Sequence, residues 1–198
     1  MAKILFVLSL FIVACYGHGR VQEPPNRGYL WRLPEYQWAN PGHIGDDTEL
    51  HCGGEGITDP NINACGFCGD PITQARPRQH EIGGAHERGL IVRNYTVGQT
   101  IDVQIYWQAL HGGWNEFRLC DYSGKGAESE TCFRENLLRF SNGETRLWDI
   151  DDATGDGGIT HLQVQLPQGL RCDRCVMQWE WSADNGQFYR NCMDISIH

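Results

Sequence analysis

The chain has 198 residues and carries 16 basic against 25 acidic side chains, a formal charge of −9. That acidic balance repels phosphate backbones, which excludes nucleic acid as a natural partner but does not penalise a neutral polymer such as a polysaccharide. The length suits one domain, and neither a repeat nor a Ser/Pro-rich linker divides it.

Met1-Ala2-Lys3, an apolar run from Ile4 to Ala14, and the small-residue close Cys15-Tyr16-Gly17 have the order of a secretory signal peptide. The run falls short of the roughly 20 apolar residues that span a bilayer. The expectation is a leader over 1–17, a domain over 18–198, an extracellular location and no membrane association in the mature form. Cleavage would remove Lys3 and make the chain one unit more acidic.

Residues 18 to about 98 are rich in Gly, Pro, Asn and Cys and lack periodicity, which predicts long loops with short helical turns. Cys15 leaves with the leader. The remaining Cys52, Cys65, Cys68, Cys120, Cys132, Cys172, Cys175 and Cys192 form an even set, as in the disulfide framework of an exported protein. Two Cys-x-x-Cys pairs raise the alternative of a four-cysteine zinc site, which an oxidising compartment disfavours. The connectivity is not fixed by spacing. Asn94-Tyr95-Thr96 is an acceptor sequence for N-glycosylation.

From Ile101 onward the pattern alternates. Ile101, Val103, Ile105 and Trp107, then Leu162, Val164 and Leu166, then Met177, Trp179 and Trp181 each read as a strand, as do Phe117 with Leu119 and the segment from Asp194 to Ile197. With Gly/Asn/Asp turns between them, the expected fold is all-β: an immunoglobulin-like antiparallel β-sandwich with long disulfide-linked loops.

Cleavage after Gly17 would make His18 the amino terminus. Its α-amine, with an ordinary pKa of about 8, and its Nδ1 could then chelate one metal. One further imidazole would complete a planar three-nitrogen set, which suits Cu(II). Most of His43, His51, His80 and His86 are expected in solvent, as is His161 on the polar side of its strand. His86-Glu87 lacks the second histidine of a zinc helix. His111 follows a strand in the turn Ala109-Leu110-His111-Gly112-Gly113, where glycines let other chain approach, and is the candidate second ligand.

The start His18-Gly19-Arg20-Val21, Pro24-Pro25-Asn26-Arg27 and Trp31-Arg32 resembles the lytic polysaccharide monooxygenases of auxiliary activity family 15, the arthropod-type branch. Three further blocks match in order: Ala109-x-His111-x-Gly113-x-x-Glu116-Phe117-Arg118-Leu119-Cys120, Cys172-x-x-Cys175-Val176-x-Gln178-Trp179, and Tyr189-Arg190-x-Cys192-x-Asp194-Ile195. The resemblance covers essentially all of 18–198. It implies one copper ion in a histidine brace of His18 and His111, with Tyr189 as the axial aromatic and Ala109 packed over the opposite axial position. It also implies Gln187 as a hydrogen-bonding partner of the oxidant. An external electron donor and O2 or H2O2 would be co-substrates. The implied reaction is oxidative cleavage of glycosidic bonds, by hydrogen abstraction at C1 or C4, in chitin or else cellulose. A monomer is expected.

Trp114, three residues past His111, and Asn115 are the candidate substrate contacts, with Trp114 expected on the surface. Tyr29 and Trp31 are expected to pack internally. Leu110 stands where the family often has Asn, and Asn115 where Phe is common.

Two other classes compete. A glycoside hydrolase needs two carboxylates about 5–9.5 Å apart, whereas Asp149, Asp151, Asp152 and Asp156 crowd one short loop. That loop also fails the calcium-loop pattern, with Ala153 and Thr160 at ligand positions. A non-catalytic chitin-binding or copper-carrying protein would share the same ligands.

Overall fold

The structure is a computed structural model that describes residues 17–54, 65–123, 128–150 and 157–198. The leader up to Tyr16, and Asp151, Asp152, Ala153 and Asp156 of the acidic loop, lie outside the described residues. The strands are β1 (His18–Glu23), β2 (Arg93–Tyr95), β3 (Thr100–Ala109), β4 (Trp114–Asp121), β5 (Arg139–Phe140), β6 (Leu147–Trp148), β7 (Ile159–Gln165), β8 (Cys172–Ser182) and β9 (Phe188–Ile197). Among the described residues there are two 3-10 turns, Leu30–Arg32 and Pro34–Ala39, and one short α-helix, α1 (Glu130–Glu135), capped by the Ser129 side chain, which accepts from the Cys132 amide. None of the described helices is long and apolar enough to cross a membrane.

The strands form two sheets, ordered β1-β3-β7-β5 and β2-β9-β8-β4-β6. This is the expected all-β sandwich, with one departure: β2 runs parallel to β9. Tyr95 Cα pairs with Ile197, so the long amino-terminal loop region ends by adding a strand beside the last one.

Alternation placed the core. Ile101, Val103, Ile105 and Trp107 of β3 are buried and face Met177, Trp179, Trp181 and Ile195 of the other sheet in one cluster. Trp107 meets Trp181 edge-on with centroids 4.8 Å apart, and Trp181 stacks on Tyr189 at 4.6 Å. Each of these indoles has a hydrogen-bond acceptor: Trp107 Nε1 donates to Thr160 Oγ1, Trp179 Nε1 to Asn115 Oδ1 and Trp181 Nε1 to the Gly112 carbonyl, all at 2.8 Å.

β8 and β9 are longer than their apolar alternation indicated, and β9 is buried at every residue. The amino-terminal loops cover the outer face of their sheet, so Gln178, Glu180, Arg190 and Asp194 are polar yet enclosed. Each is partnered there. Gln178 Nε2 donates to the Phe67 carbonyl at 2.7 Å. Glu180 accepts from both Arg190 and Arg118 at 2.8 Å. Arg27 reaches down from the loops, donating to both Asp194 oxygens at 2.6 Å, to the His80 carbonyl at 2.7 Å and to Glu128.

The cysteines pair as Cys52–Cys65, Cys68–Cys192, Cys120–Cys132 and Cys172–Cys175. The zinc alternative is thereby removed, because Cys65 and Cys68 go to different partners. Cys68–Cys192 fastens the loop layer to β9. His80 corrects the expectation of a solvated histidine: it is buried, its Nδ1 is 2.7 Å from Asp70, and its ring stacks on His86. His161 is exposed, as its place on the strand indicated.

Arg27 offers one buried positive charge to two carboxylates. Burial pushes Glu128 up from its ordinary value of 4.5, and Arg27 and the Ile82 amide only partly offset it. The folded chain therefore binds this proton more tightly than the unfolded chain does. The contribution favours folding at low pH and is lost as pH rises through the folded value. Arg27→Met, which strands two buried carboxylates, is expected to cost about 3–5 kcal/mol in chemical denaturation. Glu128→Gln is expected to cost far less and to flatten the pH dependence of stability just above pH 4.5.

Candidate metal centre

β1 lies on β3 with His18 opposite Ala109, so the leading histidine sits across from the residue two before His111. Gly19, next along, packs on the tryptophan core: a Cβ there would come within 2.8 Å of the Trp107 ring. The pairing thus requires glycine after His18. The Gly19 amide also donates to the Thr48 carbonyl at 3.2 Å, which ties β1 to the loop over 46–49.

His111 is half-buried in the turn leaving β3. The turn is held from below. Trp181 Nε1 donates to the Gly112 carbonyl, the Asp184 amide donates to the His111 carbonyl at 2.9 Å, and the Asp149 amide donates to the Gly113 carbonyl at 2.8 Å. Gly113 has φ +84°, and a Cβ would lie 1.9 Å from the Ser182 carbonyl. Glycine is obligatory there.

Tyr189 is buried, and its ring is sandwiched by Trp181 and, edge-on, by His51. Its hydroxyl donates to the Gly17 carbonyl, the group bonded to the His18 nitrogen, and lies 3.0 Å from Gln187 Oε1. Burial, followed by the nearby Glu49 and Asp46, pushes the phenol up, so it remains neutral. Gln187 Oε1 also accepts from the Gly17 amide at 2.6 Å, while its Nε2 is buried without a partner among the described residues. His18, Ala109, Gln187 and Tyr189 therefore come together, with His111 on the adjoining turn.

The fit to copper rests on these atoms. His18 Nε2 is 2.9 Å from the Glu49 carboxylate, an acceptor only, so this contact favours the ring form that carries its proton on Nε2. Nδ1 is the atom that forms a chelate with the residue's own main-chain nitrogen. A neutral phenol hydrogen-bonded to the Gly17 carbonyl, and Gln187 Nε2 without a partner among the described residues, lie beside it and suit a nitrogen-ligated copper.

The two substrate candidates are corrected. Trp114 is 8 % exposed, packs on Phe188 and lies under the Arg146 guanidinium at 4.0 Å. Asn115 points inward to Trp179 and is 1 % exposed. Trp114 and Asn115 belong to β4 itself rather than to the turn: Trp114 is covered by Phe188, Cys52 and Cys65 on one face of the sheet, and Asn115 turns to the tryptophan core on the other. Trp148, the cross-strand neighbour of Trp114, is exposed instead, at 61 %. Glu49, Trp181, Asp149 and Asp184 were also missed. They have no motif of their own, and only folding brings them to His18 and His111.

A sequence model of the family described as "Lytic polysaccharide mono-oxygenase, cellulose-degrading" matches residues 18–195. The chain belongs to the lytic polysaccharide monooxygenases. The match begins at His18. A family 15 lytic polysaccharide monooxygenase from Thermobia domestica, solved in its Cu(I) state, is 34 % identical with a TM-score of 0.79 over 91 % of this chain and 98 % of that one. A chitin-binding domain from Burkholderia pseudomallei (17 % identity, TM-score 0.63, 92 % and 100 % coverage) shares the fold. So does LPMO10B from Micromonospora aurantiaca (16 %, 0.55, 90 % and 99 %). No curated protein sequence matches significantly. The chain is a copper-dependent monooxygenase of the family 15 type that degrades polysaccharide oxidatively, with one copper ion and O2 or H2O2 as co-substrate.

Asn115→Leu should leave Trp179 Nε1 without an acceptor and cost about 1–3 kcal/mol in thermal or chemical unfolding. Affinity for insoluble polysaccharide, measured in a pull-down with the folded variant, should be unchanged.

Proposed function

We propose that residues 1–17 are a cleaved leader, that the mature protein is extracellular, and that copper would be held by the His18 amine, His18 Nδ1 and His111, with Tyr189 as a further oxygen donor beside them. The observation that carries this reading is the register that sets His18 opposite Ala109, at the turn bearing His111. In the uncleaved chain the His18 nitrogen is an amide, which is a poor ligand, so removal of Gly17 would be a step in building the site. It would also release Tyr189 and Gln187 from Gly17.

Copper, once bound, supplies the one-electron chemistry that activates O2 or H2O2 for attack on a sugar C–H bond. The chain supplies the positions. β3 and Trp181 fix the His111 turn, Ala109 keeps the side facing it open to small molecules alone, and Tyr189 contributes a neutral oxygen. Gln187 Nε2 is the hydrogen-bond donor that would be available to the oxygen co-substrate. N-glycosylation at Asn94 fits its exposure, since Ser196 donates to Asn94 Oδ1 and leaves the amide nitrogen free.

The proposed substrate is chitin. Glu49, Asp46, Asp149 and Asp184 around the two histidines are hydrogen-bond acceptors, and the acetamide N–H of chitin is a donor that cellulose lacks. Trp148 is the proposed aromatic contact. The protein is proposed to act as a monomer.

Mass spectrometry of soluble products, with copper and ascorbate, is expected to show C1- or C4-oxidised oligosaccharides from chitin. Oxidised products from cellulose alone would overturn the substrate, and none from either polymer would overturn the assignment of the site. Retaining one residue before His18 should lower copper affinity by orders of magnitude in a calorimetric titration; unchanged affinity would sink the brace. Trp148→Ala is expected to weaken polymer binding by about two- to tenfold without changing copper affinity.

A further inference from the structure

The loop over 46–49 is fastened to the start of β1 more firmly than a surface loop requires. Gly19 donates to the Thr48 carbonyl at 3.2 Å, and Thr48 donates through its amide to Asp46 at 2.9 Å. Asp47 is buried and receives Arg20 at 2.9 Å, with Arg32 on its other oxygen. On the far side, the Leu50 carbonyl accepts from the Arg190 amide at 3.1 Å, and Cys52 begins a disulfide. Asp46, Asp47, Thr48, Leu50 and Cys52 are thus engaged in fixing the loop, and the His51 amide donates to the Glu49 carbonyl at 2.8 Å. The side chain carried at its apex, Glu49, has its carboxylate 2.9 Å from His18 Nε2.

A free histidine side chain in water has two neutral tautomers, and chelation by the residue's own amine uses the one with its proton on Nε2. A carboxylate fixed at Nε2 accepts that proton and disfavours the other tautomer, whose Nε2 lone pair would face a negative charge. Carboxylates that orient metal-binding histidines in this way raise ligand basicity, and their loss typically costs about 10–100-fold in metal affinity. The Glu49 side chain is about half exposed, at 48 %, which places the effect at the low end of that range.

We infer that Glu49 is a positioning residue for the copper site: it selects the Nε2–H tautomer of His18, the form in which Nδ1 is able to ligate. The inference rests on the His18 brace reading and adds that the metal-free protein is already in the binding tautomer.

The experiment uses the protein beginning at His18. In the metal-free state above the histidine pKa, 15N NMR of the His18 ring should show Nε2 protonated and Nδ1 bare. Glu49→Ala should give a mixture, and Glu49→Gln, which keeps an oxygen acceptor, should restore most of the bias. Cu(II) affinity should fall about tenfold in Glu49→Ala and less in Glu49→Gln, with the melting temperature close to that of the parent. The inference is overturned if Glu49→Ala, folded, keeps both the tautomer ratio and the affinity of the parent. The brace itself is tested separately by the chain with one residue retained before His18. If that chain loses copper while Glu49→Ala does not, the brace stands and the role of Glu49 fails.

Discussion

The aromatic contact between the two sheets is the constraint on which the site depends. Trp107 on β3 and Trp181 on β8 wedge against each other, and Tyr189 on β9 stacks on Trp181. Stacked and edge-on rings tolerate little sliding, because each shift loses contact area and misaligns an indole N–H from its acceptor. Trp181 therefore fixes two things at once. Its ring face sets the position of Tyr189, and its N–H sets the Gly112 carbonyl beside His111. Gly19 closes over Trp107, so β1 and His18 settle at one depth.

The loop layer serves the same end from outside. Polar side chains on the outward face of β8 and β9 would normally face water, and here they are buried under the described amino-terminal loops, Arg27 and Phe67 among them. That burial is tolerated because the charges interlock: Arg27 between Asp194 and Glu128, and Glu180 between Arg118 and Arg190. The disulfide Cys68–Cys192 joins the layer to the strand that carries Tyr189. A covalent and ionic clamp of this kind lets long loops hold positions such as Glu49 without a secondary structure of their own.

The candidate site combines a rigid floor with an open, acidic rim. Neutral nitrogen and phenol groups lie at its centre, and the carboxylates of Glu49, Asp46, Asp149 and Asp184 stand around it. Exclusion of negative charge from the centre keeps the donor set suited to a copper ion that cycles between two oxidation states, while acidic groups one layer out bias it electrostatically.

Much of this was legible in the sequence. The period-two runs in β3, β7 and β8 placed the core because one face of each is apolar, and a His-Gly that leader cleavage would expose, with His111 before Gly112-Gly113, singled out the candidate ligands. The sequence could not disclose β1, β2 or the full length of β9, because strands whose two faces are both covered, or which add to a sheet edge, show no alternation. It pointed to Trp114 by proximity to His111, yet Phe188 and the Cys52–Cys65 disulfide pack over that ring, while its cross-strand neighbour Trp148 is exposed. The partners of His18 were hidden for the same reason. Glu49 is 31 residues away and Tyr189 is on the last strand, and only the packing of loop layer on sheet brings them to one atom's surroundings. Local pattern determined the strands and the ligand types; which groups surround those ligands was decided by contacts between distant parts of the chain, which no local pattern encodes.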